Sequence, residues 1–512
     1  DLFEPLSEQH QTLWRRFDPR GTADITVRVR RPGAGKDDTW PPWRTTVSVD
    51  LADARMCFRE YPYPLEHVNG RLEIQPNRIQ FEGLTGHRDG ASVRVDGYTT
   101  FDPSESPTVE LRIEAAGLRM DETLAAALPP EAREVFSQFQ PEGLVDLLGT
   151  VSLQDPQRGL VYDLRATLHN ATLCYRHFPY RVGGVSAEVA IRPADISILN
   201  VTGSHGTAEL AAGGSIRRTS EGFVADLSFD CGDLLLDQEL YSALPEALKE
   251  VWHLLEPSGT VHVRTTLHYV SKDGQVWTRH RTDLEVTNGA LRFAGFPLAL
   301  SSVTARVRAT DRRVEILSIQ GRVGDGQVSL SGAIDLTKPG REGTFTLNAS
   351  NLAFSDELVA VTPPALRHVL EAVKPAGRFD LRLDQLHVET GEDGRSRWDF
   401  AGALTLAEVQ GDLGFLVRDL TGSVTGRGAV HPDGGIELDA RGEFSRAVLR
   451  GWHLEDVKAR LVADPTTRTL HIEDFSASAY DGEAAGFAEI EFAPGGTSYR
   501  LSATAREIQL DR

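Results

Sequence analysis

The chain has 512 residues, of which 40% are hydrophobic and 25% are charged, and its formal net charge is −20. These proportions are typical of a soluble folded protein, and the negative charge argues against nucleic acid, whose phosphates it would repel. No run of about eighteen apolar residues is present, so the sequence predicts no membrane-spanning helix.

Four Pro-x-Gly tripeptides divide the chain at regular intervals. They begin at Pro19, Pro141, Pro257 and Pro375, with spacings of 122, 116 and 118 residues. Such a period indicates repeated units, each packed on its neighbours. We therefore predict the closing helix of a preceding repeat at 1–18 and four repeats, at 19–140, 141–256, 257–374 and 375–512. The fourth is longer, with extra strands at about 380–437, and is truncated at its closing helix. We interpret the chain as a fragment of a longer protein.

One repeat reads as about six short strands with period-two alternation of apolar residues. In the second copy a kinked link at 173–180 and a glycine turn at Gly203 and Gly206 separate some of them. The predicted strands lie at 143–154, 162–171, 185–191, 196–198, through Leu210, and at 225–229. Cys57 and Cys174 occupy the same repeat position and are interpreted as small buried residues, because three cysteines cannot form a disulfide framework.

Each repeat is predicted to close with a short helical insert. Asp121, Asp237 and Asp356 stand where a carboxylate can accept the free amide protons of a first turn. Prolines at 129–130, 245 and 363–364 should begin a second short helix. That helix carries an apolar stripe, which we expect to pack on the sheet. Its residues are Val135, Phe136 and Phe139 in the first repeat, Leu248, Val251, Trp252 and Leu255 in the second, and Leu366, Val369, Leu370 and Val373 in the third.

The closing strands predict a sheet with one polar and one apolar face, because polar residues separate the apolar ones. Short helices are too few to cover the apolar face. It must meet another sheet, curl on itself, or cover something that is not protein. The inward residues that would form such a surface are Val109, Leu111, Ile113, Ala187, Val189, Leu227, Phe229, Val307, Phe345, Leu347 and Leu501.

The order of these elements resembles the AsmA-like proteins of Gram-negative bacteria, which include the TamB relatives. The second repeat carries the pattern most fully, with Phe178-Pro179-Tyr180, the alternation Val185 to Val189, the pair Ile196 and Ile198, then Gly203 and Gly206 and a strand with Gly214-Ser215-Ile216. The resemblance covers nearly the whole chain and is weakest at 380–437.

The resemblance implies an all-β, elongated array of antiparallel strands curled into an apolar groove (a β-taco), with a helical insert in each repeat. It further implies a periplasmic bridge-like protein that carries phospholipid between the inner and outer membranes. The partners would be phospholipid acyl chains, an inner-membrane anchor and an outer-membrane partner, both outside this chain. The alternative is a non-enzymatic periplasmic scaffold or adhesin with a filled β-solenoid core.

Motifs for catalysis or metal binding are missing from the sequence. It has no Cys-x-x-Cys, His-Glu-x-x-His, Gly-x-Ser-x-Gly or Walker sequence, and its histidines are scattered. Gly324-Asp325-Gly326 is predicted to be a hairpin turn. We therefore expect no enzyme, no cofactor and no bound metal.

Overall fold

The structure is a computed structural model, and it describes residues 15, 17–31, 33, 43–59, 62–100, 108–128, 130–153, 159, 161–246, 249, 252–253, 256–292, 299–337, 341–362, 364–391, 394–412, 416–466, 469–493 and 496–509. Over these residues the protein is all-β, with 76% strand and 9% helix, and its strands form one open antiparallel sheet of 26 strands. The prediction of an all-β antiparallel fold is confirmed.

The chain divides into two compact units. The first comprises Asp1–Gly232 and Thr266–Thr278, and the second comprises Asp233–Thr265 and Arg279–Arg512. The first unit contains, in chain order, β1 (Arg20–Arg30), β2 (Arg44–Met56), β3 (Leu65–Gln75), β4 (Arg78–Arg88), β5 (Ala91–Thr100), β6 (Val109–Arg119), β7 (Glu142–Leu153), β8 (Val161–Tyr175), β9 (Phe178–Arg192), β10 (Asp195–His205), β11 (Ala208–Thr219) and most of β12 (Gly222–Leu235).

Three strands have residues in both units, namely β12, β13 (Ser258–Lys272) and β14 (Gln275–Arg292). The second unit continues with β15 (Ala299–Thr310), β16 (Arg313–Val323), β17 (Gly326–Asp335), β18 (Arg341–Ala353), β19 (Ala376–Thr390), β20 (Ser396–Asp412), β21 (Leu416–Val430), β22 (Ile436–Leu449), β23 (Trp452–Asp464), β24 (Thr469–Ala479), β25 (Gly482–Ala493) and β26 (Gly496–Arg506).

Strand order follows chain order. From β1 to β12, and again from β14 to β26, each strand pairs antiparallel with the next one in sequence. Short turns make this possible, since antiparallel neighbours need only a tight hairpin between them. The second repeat contains six strands as predicted, β7 to β12, and the stretch at 380–437 is also built of strands.

Short helices follow three of the strands. They are α1 (Glu122–Ala127) and α2 (Pro130–Phe139) after β6, α3 (Gln238–Ala243) after β12, and α4 (Asp356–Val361) and α5 (Pro364–Val373) after β18. Asp121 and Asp237 are N-caps, as predicted, each accepting two amide protons of the first turn. The prediction for Asp356 is wrong: Ser355 is the N-cap, and Asp356 is the first helical residue. The cap shifted because a serine hydroxyl accepts the same amide proton.

Four local predictions in the first unit are also wrong. Gly203 lies inside β10 and the turn begins at Gly206, while the supposed kinked link is a tight turn between β8 and β9. Cys57 and Cys174 are only half-buried. Val135 of the helical stripe is exposed, whereas Phe136 is half-buried against the core cluster and the ring centroid of Phe139 lies 5.0 Å from that of Tyr175 in β8. The hairpin turn at 324–325 is confirmed.

β-Bulges interrupt the strands at equivalent places in successive repeats. Asp53, Asn170, Asn288 and Glu408 have φ values of 57°, 48°, 52° and 53°, and each sits at a shift of register. Between positions 53 and 170, 170 and 288, and 288 and 408 the spacings are 117, 118 and 120 residues. A bulge bends its strand and increases the local twist, so every repeat is bent at the same place.

Buried apolar side chains lie on both sides of these bulges: Val49 and Phe81 of the first unit come before them, and a further group lies at or beyond them. In the first unit Ala54, Val68, Ala171 and Val185 are almost fully buried. Phe136 of α2 and Leu124 of α1 pack against this region. In the second unit the corresponding cluster is Ala349, Leu352, Phe379, Leu406 and Val409. On the other side of the bulges a strand can also meet a helical residue, since the ring centroid of Phe17 lies 6.1 Å from that of Phe81 in β4.

Candidate functional site

Apolar residues of neighbouring strands stand opposite one another from strand to strand. One row in the first unit crosses nine strands in strict register, and paired residues of an antiparallel sheet project from the same face. Its members are Leu84, Val95, Ile113, Gly149, Leu164, Ile191, Ile196, Ile216 and Ala225. We call the surface formed by this row and its neighbours the apolar face of the unit.

The neighbouring rows have the same character. One crosses eight strands, through Ile25, Val49, Leu72, Phe81, Gly97, Leu111, Val151 and Tyr162. Another crosses seven, through Ala115, Leu147, Ala166, Val189, Ile198, Gly214 and Leu227. None of these rows contains a charged residue.

The second unit has an apolar face of its own, with two rows that each cross all thirteen strands from β14 to β26. Neither row contains a charged side chain. The first row is Leu284, Val307, Ile316, Gly332, Phe345, Leu386, Phe400, Gly428, Leu438, Ala463, Leu470, Ile490 and Tyr499. The second is Val286, Ala305, Ile319, Leu330, Leu347, Leu383, Gly402, Gly426, Ala440, Leu461, Ile472, Ala488 and Leu501.

The register places the sequence-predicted residues on these faces. In the first unit, Val109, Leu111, Ile113, Ala187, Val189, Leu227 and Phe229 alternate on the apolar side of their strands. In the second, Val307, Phe345, Leu347 and Leu501 belong to the two long rows. What these residues bind is a separate question, and their role in lipid contact stays a prediction.

These large apolar side chains are incompletely covered by protein. Phe229 is 41% exposed and Leu501 is 59% exposed; Ala187 is buried, and the other eight predicted residues are half-buried. A filled core would bury large side chains almost completely. Coverage is not uniform, since Val49, Phe81 and Leu84 of the first unit's rows are buried, and so are Leu386, Val430 and Ile490 of the second unit. The apolar faces therefore leave part of their area open in the described structure.

The opposite side of each strand is polar and carries ion pairs between neighbouring strands. Arg71 reaches Asp50 at 2.6 Å, Arg165 reaches Glu188 at 2.9 Å, and the Arg308 guanidinium lies 2.7 Å from Asp283. Hydrogen bonds from two arginines lower the pKa of the Asp283 carboxyl, with the bond from Arg308 contributing most. The sheet thus has one side that carries ion pairs and another side whose apolar rows contain no charged residue.

Carboxylate and amide side chains hold several bulges in place, and sequence reasoning missed them. The bulged residue leaves its N–H outside the ladder, and an oxygen on the next strand accepts it. Gly83 N–H donates to Asp96 at 2.6 Å, Gly117 N–H to Asp146 at 2.7 Å, and Asn351 N–H to Asp380 at 2.6 Å. The available signal was the recurrence of Asp, Asn or Gly at intervals close to the repeat length.

Glycines let the strands bend and let aromatic rings lie flat on the apolar faces. Gly97 and Gly214 have φ values of 138° and 149°, and a Cβ on either would fall 2.1 Å from a backbone oxygen of the next strand. A Cβ on Gly343 would lie 2.6 Å from the ring of Phe345. Glycine kinks and bulges are the features by which sheets acquire curvature, so both are consistent with strands that curve around the apolar side.

Other kinds of site find no support among the described residues. They contain no group of three or more His, Cys, Asp or Glu side chains arranged to hold a metal ion. None of the helices described above has the length and apolar character needed to span a membrane. Comparison of the chain with family models, with curated proteins and with solved structures finds no match. The two apolar faces are therefore the features from which a function can be inferred.

Proposed function

We propose that this protein is an AsmA-like, TamB-related β-groove protein that carries phospholipid between the inner and outer membranes of a bacterial envelope. The acyl chains would lie along the apolar faces, and the groove would result from curvature of the sheet. The protein would be periplasmic, held at the inner membrane by an anchor and met at the outer membrane by a partner. The observation that carries the proposal is the set of charge-free rows that cross strand after strand and stay partly uncovered.

The physical basis is non-directional apolar contact. Each Å² of apolar surface removed from water stabilises the bound state by about 25 cal/mol, and this contribution does not depend on the identity of the head group. A row without charges offers no point at which a sliding acyl chain must displace a solvated ion. No bond is made or broken in such transport, so the proposed function is not enzymatic.

The competing interpretation is a scaffold or adhesin whose apolar faces fill a closed core. The buried members of the rows in both units, among them Val49, Phe81 and Ile490, are the feature that favours it. Under this interpretation Leu227 and Leu347 would be packed against protein, whereas under the groove interpretation they would contact lipid or remain partly hydrated. The two interpretations therefore differ in how each position tolerates a charge.

The test places a carboxylate on each apolar face, in the variants Leu227→Asp and Leu347→Asp. Ser228→Asp and Thr346→Asp are matched controls, because each neighbouring residue points to the opposite side of the same strand. Thermal unfolding and phospholipid loading from vesicles are measured on all four. We expect the first pair to lose lipid loading while unfolding within a few degrees of their controls.

Loss of folding in both apolar-face variants would refute the groove and favour the filled core. A buried, unpaired carboxylate would then cost several kcal/mol. Wild-type protein that takes up no phospholipid from vesicles would refute the transport function directly.

A further inference from the structure

One charged side chain stands at the border of the first unit's apolar face. Residues 210, 212, 214, 216 and 218 of β11 pair with β12 without any shift of register, so Arg218 projects from the same face as Ile216 and Leu227. It lies one step past the charge-free row that ends at Ala225, a distance of about 6–7 Å along the strand. Its register partner is Phe223.

The register partner of Arg218 belongs to an aromatic pair. Phe223 stacks on Tyr269 of β13, with ring centroids 5.3 Å apart and an interplanar angle of 18°. On the other side, the Arg218 amide donates to the carbonyl of Ala194. Arg218 is exposed, and among the described residues no acceptor engages its guanidinium. A guanidinium at the border of an apolar surface, without a carboxylate partner, can still bind an anion.

The nearby charges do not cancel it. Lys272 and Glu221 are paired with each other at 2.5 Å at the hairpin ends of β13 and β12. Arg217 projects from the opposite side of β11, where its register partner is Asp195. At the end of β11 next to the hairpin with β12, the charge on the side of the apolar face is therefore that of Arg218.

We propose that Arg218 binds the phosphate of an amphiphile whose acyl chains occupy the adjoining rows through Ile216 and Leu227. This inference rests on the proposed function and extends it by naming a head-group contact. The planar guanidinium can present two parallel N–H donors to a phosphate. The stacked rings of Phe223 and Tyr269 would border the site on the apolar side, next to the glycerol and the first methylenes.

Isothermal titration of the lipid-free chain with three probes separates the contribution of the phosphate from that of the acyl chains. The probes are dihexanoyl phosphatidic acid, dihexanoylglycerol and inorganic phosphate. Dihexanoylglycerol has the acyl chains but lacks the phosphate. The variants are Arg218→Gln and, as matched control on the other side of the same strand, Arg217→Gln. Loss of a hydrogen-bonded charge contact should weaken binding of phosphatidic acid about tenfold or more in Arg218→Gln. Binding of dihexanoylglycerol should stay unchanged, and Arg217→Gln should match wild type with every probe.

The outcomes distinguish the two proposals. Equal weakening of phosphatidic acid by both variants would overturn the role of Arg218 and assign the effect to general charge. Unchanged affinity in Arg218→Gln, with dihexanoylglycerol still bound, would overturn the phosphate contact but leave the lipid function intact. Inorganic phosphate that binds as tightly as phosphatidic acid would identify a free phosphate site in place of a lipid site. Failure of both lipids to bind wild-type protein would refute the proposed function itself.

Discussion

Replacing Gly214 with alanine should destabilise the first unit strongly, whereas the same change at Gly213 should not. A Cβ on Gly214 would lie 2.1 Å from the Asp226 carbonyl oxygen and 2.9 Å from the Cα of Leu227, with φ at 149°. A Cβ on Gly213 would meet only the Ile198 carbonyl oxygen, at 3.4 Å. The two glycines are neighbours in β11, so sequence context and exposure to solvent are closely matched.

The magnitude follows from two contributions. Moving the backbone of β12 to relieve the contact is an overpacking change that costs about 1–3 kcal/mol. Holding a residue with a Cβ at a positive φ outside the allowed regions adds about 1–3 kcal/mol. The total of about 2–6 kcal/mol corresponds to a fall in Tm of roughly 5–20 °C for a unit of this size, at about 2–4 °C per kcal/mol.

The assay is thermal unfolding followed by circular dichroism, with Gly213→Ala measured in parallel. Gly213→Ala should unfold within about 2–4 °C of wild type, since an ordinary van der Waals contact costs less than about 1 kcal/mol. A Gly214→Ala variant with wild-type Tm would show that β11 and β12 do not approach each other at this point. Gly214 would then not mark a kink in β11.

Two further substitutions test a side chain that accepts a bulge amide, Asp146, and a helix N-cap, Asp121. The pKa of Asp146 is lowered chiefly because its carboxylate accepts the Gly117 N–H, with a smaller contribution from His169. Its stabilisation is therefore present above about pH 4 and is lost as the pH falls through the folded pKa. In urea unfolding, Asp146→Ala should cost about 1 kcal/mol at pH 7 and progressively less below pH 4. Asp121→Ala removes the acceptor of two amide protons in α1 and should cost about 1 kcal/mol, seen as faster hydrogen exchange in that helix.

Matched variants accompany each of these changes. Thr150→Ala lies in the same strand as Asp146 but accepts no bulge amide in the described structure, so it should show no pH-dependent difference from wild type. Glu122→Ala removes a first-turn charge and leaves the cap intact, so exchange in α1 should rise less than in Asp121→Ala. A pH-independent loss in Asp146→Ala, or equal exchange in the two helix variants, would contradict these assignments.

Strand positions and faces were predictable because period-two alternation survives in short segments. Leu164, Ala166 and Leu168 alternate in β8, and Leu227 and Phe229 in β12, so their shared face could be inferred without the fold. The bulges could not be, because a single Asn or Asp in the left-handed region, such as Asn170, adds one residue without changing the composition. Past that residue the inward positions of β8 change parity, which is why Ala171 was not identified as part of the core.

The face from which Arg218 projects could not be predicted from the sequence, for a related reason. In the sequence it is one of two adjacent arginines near a turn, and only the unbroken register between β11 and β12 assigns it to the apolar side and its neighbour to the polar side. The cap at Ser355 was missed because a serine and an aspartate stand side by side, and either oxygen can serve the first turn.

The order of pairing has a consequence for how such a chain changes length. From β1 to β12 and from β14 to β26 each strand pairs with its neighbour in sequence. No described strand in these stretches therefore depends on a partner that is distant in sequence. The bulges recur at intervals of 117 to 120 residues. A duplication or deletion of one whole period therefore keeps the inward residues on the apolar face, and it brings together strands that occupy equivalent positions in their repeats. A duplication of arbitrary length would instead put charge on the apolar side. Gene-level insertion in whole periods is therefore the route by which this architecture can be extended or shortened while its surface chemistry is preserved.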